Sequence, residues 1–149
     1  MLRFLKRLLM GIGIVVGFFL VMQAIPYGRD HTNPVVVKEP AWDSPATRDL
    51  AKRACFDCHS NETKWPWYSH VAPVSWVLQR HVDTARDVLN FSDWEHKNEL
   101  AGQAAANVLA EEMPPRSYRM FHPEAQLSDR ERVQLAKGLQ ATFGLPWRD

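Results

Sequence analysis

An uncharged apolar run near the N-terminus limits the folds open to this chain more than any other feature. Leu8 to Ile25 contains no charged side chain, and as a helix its 18 residues would reach about 27 Å at ~1.5 Å per residue, close to the thickness of a bilayer. The run is apolar on every face, whereas a core helix of a soluble domain has one apolar stripe. Residues 1–27 are therefore predicted to form a single transmembrane anchor.

Charges around this run predict its orientation. Arg3, Lys6 and Arg7 precede it, so the positive-inside rule keeps the N-terminus cytoplasmic and sends the rest of the chain across the membrane. A cleaved signal peptide has the same charged start, but its apolar stretch is usually shorter and ends at an A-x-A-like site, which Met22-Gln23-Ala24 matches poorly. Those three bases are the only charges before residue 28, so the remaining 15 bases and 17 acids give a formal charge of −2. Without a concentrated basic face, nucleic-acid binding is not expected.

The next segment, residues 28–43, reads as an extended linker because it mixes proline, charge and a short valine run. Within it, Val35–Val37 is a candidate for a short strand. Ser44-Pro45 then predicts a helix start, with serine as the cap and proline in the first turn. This helix would run into Cys55.

Three further helices are predicted, which makes residues 44–149 an all-α domain of about four helices. One spans Pro73 to Asn90, where apolar positions follow helical spacing and His81 falls on the apolar stripe. The next starts at a Ser92-x-x-Glu95 capping box and stops before Pro114-Pro115. The last starts at a second box, Ser128-x-x-Glu131, and is closed by Gly144 and Pro146.

The chain has two cysteines, and both lie in the pentapeptide Cys55-Phe56-Asp57-Cys58-His59. This is the C-x-x-C-H pattern of c-type haem attachment, in which two thiols form thioethers with the haem vinyl groups and the adjacent histidine ligates the iron. A structural zinc site would need four Cys or His ligands, and this chain has no second cysteine pair. A redox dithiol would need a βαβ setting, whereas the surroundings of this pair are predicted to be helical. A disulfide between residues three apart would close too small a loop to stabilise much. Covalently attached haem c, with its iron bound by His59, is therefore predicted.

Met113 is the predicted sixth iron ligand. It stands where a helix ends, and Pro114-Pro115 would hold it on a rigid loop. Methionine opposite histidine raises the reduction potential and gives a closed, electron-carrying iron, although a methionine in a small helical domain is often a core filler. Several other side chains remain open as rivals, with His81 and His122 ranked first among them: His70, His81, His96, His122 and Met120.

Aromatic residues are dense just after the pentapeptide, in Trp65-Pro66-Trp67-Tyr68-Ser69-His70. One interpretation is that Trp65, Trp67, Tyr68 and His70 bind the cofactor, covering the haem edge and donating hydrogen bonds toward its propionates. The other is that they fill the gap between two helices.

The chain resembles a known family at this point. Residues 55–76, with the pattern C-x-x-C-H-S-N-E-T-x-W-P-W-Y-S-H-x-A-P-x-S-W, and Glu-Met-Pro-Pro at residues 112–115 are similar to the bacterial haem-binding domain family, a cytochrome-c-like group often found as small membrane-anchored proteins. Leu-Ser-Asp-x-Glu-Arg-x-x-Leu at residues 127–135 is similar to the last helix of class I cytochromes c. The resemblance implies a domain whose first and last helices pack across each other and whose intervening loop brings a methionine to the iron.

Together these features predict a membrane-tethered monohaem c-type cytochrome that transfers single electrons and is not an enzyme. Its soluble domain would face the outer, periplasmic side of the bacterial cytoplasmic membrane, where its partners would be redox proteins. One alternative is a haem-based sensor or a peroxidase-like enzyme, either of which needs an open or displaceable sixth iron position. Another is a haem-bearing subunit of a respiratory complex.

Overall fold

Helices supply all the regular secondary structure in the computed structural model, which describes residues 1–96 and 98–144. Pro146, the predicted stop after the last helix, lies outside these residues. The all-α prediction is confirmed. The α-helices of the described residues are α1 (Leu2–Gln23), α2 (Pro45–Ala54), α3 (Phe56–His59), α4 (Val74–Val88), α5 (Ala101–Leu109), α6 (Arg116–Arg119) and α7 (Asp129–Thr142), with single 3₁₀ turns at Trp67–His70 and Pro123–Ala125.

The described chain divides into two units. The anchor unit consists of Met1–Thr32 and Trp65–His81. The core unit consists of Asn33–Lys64 and the described residues from Val82 onward.

Helix α1 has 22 residues, none of which is buried. Among the described helices it is the one that is long and apolar enough to cross a membrane. Its length of about 33 Å, at ~1.5 Å per residue, matches the hydrocarbon thickness. A helix this apolar with no buried residue is not a core helix of the described fold.

Both predicted serine caps of α2 and α7 are confirmed. The Ser44 hydroxyl accepts a hydrogen bond from the Thr47 N–H, and Pro45 opens α2. At α7 the Ser128 hydroxyl accepts from the Glu131 N–H while the Glu131 carboxylate accepts from the Ser128 N–H. These reciprocal bonds satisfy backbone donors that a helix start leaves without partners.

The predicted start of α5 is wrong. The helix begins at Ala101 rather than just after Ser92, and the Ser92 hydroxyl accepts a hydrogen bond from the N–H of the distant Asn61. The Glu95 carboxylate pairs instead with Lys38. Both side chains of the predicted capping box therefore bind partners that are distant in sequence.

The extent and burial of α4 also differ from the prediction. The helix spans Val74–Val88. Val82 within it and Leu89, the first residue after it, are buried. Val74, Val77 and His81 are exposed, so the predicted apolar stripe is buried only toward the C-terminal end of the helix.

The valine run of the linker does not form a strand. It is extended, and the N–H groups of Val37 and Lys38 both donate to the Ser92 carbonyl, giving one isolated bridge between Lys38 and Asp93. A single bridge fixes the linker without building a sheet.

Helices α2, α5 and α7 form the centre of the core unit, where α7 packs on both of the others. This agrees with the packing of first and last helices that the family resemblance implies. The approach of α2 to α7 is close at Gly138, where a Cβ atom would lie 2.0 Å from the Thr47 hydroxyl oxygen. Beside these helices Phe91 packs between Phe56 and Trp42, at ring-centroid distances of 5.6 and 5.2 Å. The pentapeptide therefore begins at the C-terminal end of α2, which is packed in the hydrophobic core.

Candidate functional site

The two cysteines lie on a single helical turn at the end of α2. The Cys55 N–H still donates to Ala51 of α2, and the Cys55 carbonyl accepts from the N–H groups of Cys58 and His59, at 3.2 and 2.9 Å. Side chains three residues apart on such a turn lie on the same face. The fold therefore presents both sulfur atoms on one side of the turn and His59 directly after it.

Both thiols are half-buried and neither forms a disulfide. Burial raises the pKa of Cys55 to about 12. Burial, together with the Asp57 carboxylate, raises the pKa of Cys58 to about 11. A catalytic redox dithiol depends on a lowered pKa that yields thiolate near neutral pH. The environment of Cys55 and Cys58 instead raises the pKa of both thiols.

The His59 imidazole is held by the C-terminal end of α4. Its Nδ1 atom lies 3.0 Å from the Leu89 carbonyl oxygen and 3.2 Å from that of Ala85. Burial lowers the pKa of His59 and favours the neutral ring. Since carbonyl oxygens only accept hydrogen bonds, Nδ1 carries the proton and Nε2 keeps its lone pair. An oriented neutral imidazole with Nε2 free to bind is the arrangement of a metal-ligating histidine, so these residues fit a haem group.

A polar network fixes the backbone just after His59, and the sequence did not reveal it. The Asn61 side chain donates to the Val35 carbonyl and accepts from the Asn90 amide, and the Phe91 N–H donates to the His59 carbonyl at 2.8 Å. Buried polar groups are retained when they are hydrogen-bonded. The only sequence signal was a Ser-Asn-Glu-Thr run, residues 60–63, between two apolar stretches.

Arg86 of α4 joins the same region. Its guanidinium donates to the Ser60 carbonyl, the Thr63 hydroxyl and the Asn33 side-chain carbonyl at 2.8–3.0 Å. Half-burial lowers its pKa. Arg86 thereby ties the turn that carries His59 to the helix whose carbonyls orient it.

Met113 lies in the loop after α5, not in the core. Its N–H donates to the Asn107 carbonyl, and its side chain is 36% exposed. The loop is held from the side by Glu111, which forms ion pairs with Arg132 of α7 and Arg119 of α6. The core-filler interpretation of Met113 is therefore not supported, and its role as an iron ligand stays a prediction.

Tyr118 connects the segment after Met113 to the pentapeptide. Its hydroxyl donates to the Asp57 carboxylate at 2.5 Å, and burial together with this bond raises the pKa of Tyr118. The Tyr118 ring stacks on His122 at 4.1 Å, and His122 Nδ1 lies 3.0 Å from the Glu124 carboxylate. Neither Asp57 nor Tyr118 stood out in the sequence.

The four aromatic candidates after the pentapeptide belong to the anchor unit. Trp65 stacks on His31 at 4.5 Å, and His70 meets the same His31 edge-on at 4.2 Å. Trp67 contacts Tyr68 edge-on but is 78% exposed. Their proposed role toward a haem edge stays a prediction.

A comparison with protein families names a cofactor that fits the geometry around His59. A model of the haem-binding domain matches residues 17–141, which include α2, the pentapeptide, the polar network and the loop of Met113. No curated protein and no solved structure matches the chain. With more than half of its residues matched, the chain belongs to the haem-binding domain family.

Proposed function

We propose that this chain is a membrane-tethered monohaem c-type cytochrome that transfers single electrons on the outer face of a bacterial cytoplasmic membrane. The observation that carries the proposal is the orientation of His59. Its Nδ1–H is committed to the Leu89 and Ala85 carbonyls, which leaves the Nε2 lone pair to bind a metal. The two thiols precede it on the same turn, at the spacing that haem attachment requires.

In the proposal each residue has a separate role. Cys55 and Cys58 would form thioethers with the haem, and His59 and Met113 would bind its iron. Bound haem supplies an iron that accepts and releases one electron at a time. The protein holds the ligand set rigid: Arg86 and Asn61 fix the turn around His59, and Glu111 fixes the loop of Met113.

Location follows from α1 in the same proposal. This helix is long and apolar enough to span a bilayer, and Arg3, Lys6 and Arg7 favour a cytoplasmic N-terminus. The remaining chain would then lie on the side of the membrane where c-type haem is attached. Redox proteins of that compartment would be its electron donor and acceptor.

The test begins with the full chain, expressed in a bacterial host that matures c-type cytochromes. A denaturing gel stained for haem reports covalent attachment, and optical spectra of both oxidation states report the ligands. We expect haem stain at the mass of the chain and a six-coordinate, low-spin spectrum with a methionine–iron charge-transfer band. Absence of covalent haem would overturn the proposal.

Met113→Ala separates an electron carrier from a sensor or an enzyme. The variant should keep its covalent haem but bind added imidazole or carbon monoxide, which the wild type should exclude. Met120→Ala is the matched comparison, because Met120 is an exposed methionine and a rival ligand; it should behave as wild type if Met113 binds the iron. If Met113→Ala excludes these ligands as well as the wild type does, Met113 is not the sixth ligand. A wild type that binds them readily would favour sensing or catalysis.

A further inference from the structure

In the anchor unit, the last residue of α1 is bonded to a segment 49 residues further along the chain. The Gln23 side-chain amide donates to the Ala72 carbonyl at 2.9 Å and its oxygen accepts from the Ala72 N–H at 3.0 Å. Arg29 donates to the same Gln23 oxygen at 3.0 Å. This pairing satisfies both backbone groups of a buried residue, so Ala72 is fixed at the C-terminal end of α1.

Gly28 brings the same two segments together a second time. It has a φ of +73°, and a Cβ atom there would lie 2.3 Å from the Ser75 carbonyl oxygen. Only glycine permits both the backbone conformation and this approach. The segment from Trp67 to Val77, here named the collar, is thus held against the end of α1 at both Ala72 and Ser75.

The end of α1 marks the expected surface of the bilayer. A helix of 22 residues is about 33 Å long at ~1.5 Å per residue, and the hydrocarbon core is about 30 Å thick. Because Arg3, Lys6 and Arg7 can extend their charged ends back to one headgroup layer, most of this length can lie in the core, which places Gln23 near the opposite boundary. A segment bonded to Gln23 therefore starts at the level of the lipid headgroups.

The collar exposes side chains that suit this level. Trp67 is 78% exposed, and Val74 and Val77, which lie on one face of α4, are also exposed, as is Tyr27 just after α1. Tryptophan and tyrosine are enriched at membrane interfaces, where the ring is buried and its polar edge stays wet. Arg80, one turn beyond Val77, is exposed and adds a cation that favours anionic headgroups.

We propose that the collar docks into the headgroup layer of the membrane that α1 spans, with Trp67 as its main lipid-contacting side chain. The inference rests on the membrane tether of the proposed function but not on its haem chemistry. The segment rich in tryptophan after the pentapeptide then serves the membrane, and two-point attachment limits how the anchor unit can tilt on the bilayer.

The test places a nitroxide spin label at Trp67→Cys in the full haem-loaded chain, reconstituted in vesicles of phosphatidylethanolamine and phosphatidylglycerol. Collision rates with oxygen and with a water-soluble nickel complex give the depth of the label. Val35→Cys is the matched control, because Val35 is also 78% exposed. Ile14→Cys, in the middle of α1, reports whether the helix is inserted, and the parent chain without an added cysteine gives the labelling blank.

We expect the Ile14 label in the hydrocarbon and a several-fold loss of nickel accessibility at position 67 relative to position 35. An inserted Ile14 label with position 67 as open to nickel as position 35 would overturn the docking proposal while leaving the tether intact. An Ile14 label in water would overturn the tether and the docking together, and neither result depends on the haem stain. Spin–spin broadening at position 67 would assign the collar to a contact between two copies instead.

Gln23→Ala tests the link between α1 and the collar. Alanine keeps the helix but removes both bonds to Ala72, so the position 67 label should regain nickel accessibility while the haem spectrum is unchanged. Val21→Ala is the control, since Val21 is exposed on the same turn. An unchanged label depth in Gln23→Ala would show that Gln23 does not place the collar.

Discussion

Gly138→Ala tests whether the close approach of α2 to α7 contributes to the stability of the fold. The added Cβ atom would lie 2.0 Å from the Thr47 hydroxyl oxygen and 2.6 Å from its methyl carbon. Thr47 cannot easily move aside, because it is 2% exposed and its hydroxyl is hydrogen-bonded to Ser44. An ordinary contact begins at 3.4 Å, so the two helices would have to separate by roughly 1.4 Å, the difference between 3.4 and 2.0 Å.

The magnitude follows from two opposing effects. Alanine is the better helix former by about 1 kcal/mol, whereas overpacking a dense core costs about 1–3 kcal/mol and occasionally more. Because the contact is so short, we place the cost at the upper end and expect a net destabilisation of about 1–2 kcal/mol. With a urea m-value of about 1–3 kcal/mol per molar, the unfolding midpoint would fall by roughly 1 M.

Urea unfolding of the full chain in mild detergent, followed by circular dichroism at helix wavelengths, measures this change. Gly102→Ala is the matched control: it lies in α5 with no atom within 4 Å of the added Cβ, and it should stabilise the protein by about 0.5–1 kcal/mol. Combining Gly138→Ala with Thr47→Ala should recover part of the loss, because the two nearest atoms are removed and only the Cβ atom of residue 47, at 2.8 Å, stays close. If Gly138→Ala raises the midpoint as Gly102→Ala does, the packing argument is wrong.

Two further predictions concern the site and the linker. Tyr118→Phe keeps the ring but removes the hydroxyl bonded to Asp57, so it should cost about 1–2 kcal/mol of unfolding free energy. It should also raise the affinity for added imidazole in optical titrations, because the segment after Met113 is then no longer bonded to the pentapeptide. Tyr27→Phe should do neither. Arg48 binds the Glu39 carboxylate through two hydrogen bonds of 2.7 Å and lowers its pKa from 4.5. The stability from Glu39 is therefore present above pH 4.5 and is lost as the pH falls through the lowered pKa. The urea midpoints of Glu39→Gln and wild type should thus differ above pH 4.5 and converge as the pH is lowered below it; a gap that widens in acid would contradict the sign.

Local signals in the sequence predicted the helices whose caps use neighbouring residues. Ser44 and Ser128 cap α2 and α7 because each hydroxyl finds its N–H partner three residues away. Ser92 has the same local pattern, but its hydroxyl bonds to Asn61, 31 residues earlier. Competition from a partner that is distant in sequence cannot be seen in a capping pattern, so α5 was placed too early.

The candidate site likewise has a part that the sequence predicted and a part that it did not. Spacing alone selected Cys55, Cys58 and His59, because haem attachment constrains adjacent residues. The groups that orient His59 were missed, since two of them are backbone carbonyls, at Ala85 and Leu89, and every residue carries a carbonyl. A sequence can reveal a ligand whose chemistry lies in its side chain, but it does not reveal the backbone atoms that orient that side chain.

The pattern after His59 combines two structural roles in one continuous stretch. Its first part, residues 60–63, is polar, and Asn61 and Ser60 are buried and hydrogen-bonded around the turn of His59. Its second part, residues 65–76, is aromatic and belongs to the unit that contains α1. Buried polar groups with fixed partners can hold a ligand in place, whereas an exposed tryptophan such as Trp67, in the unit that contains an apolar helix, suits a lipid surface. If both proposals above hold, the change from polar to aromatic at Lys64 corresponds to a change from fixing a metal ligand to contacting a membrane, and a single helix-packing role would then not account for the whole stretch.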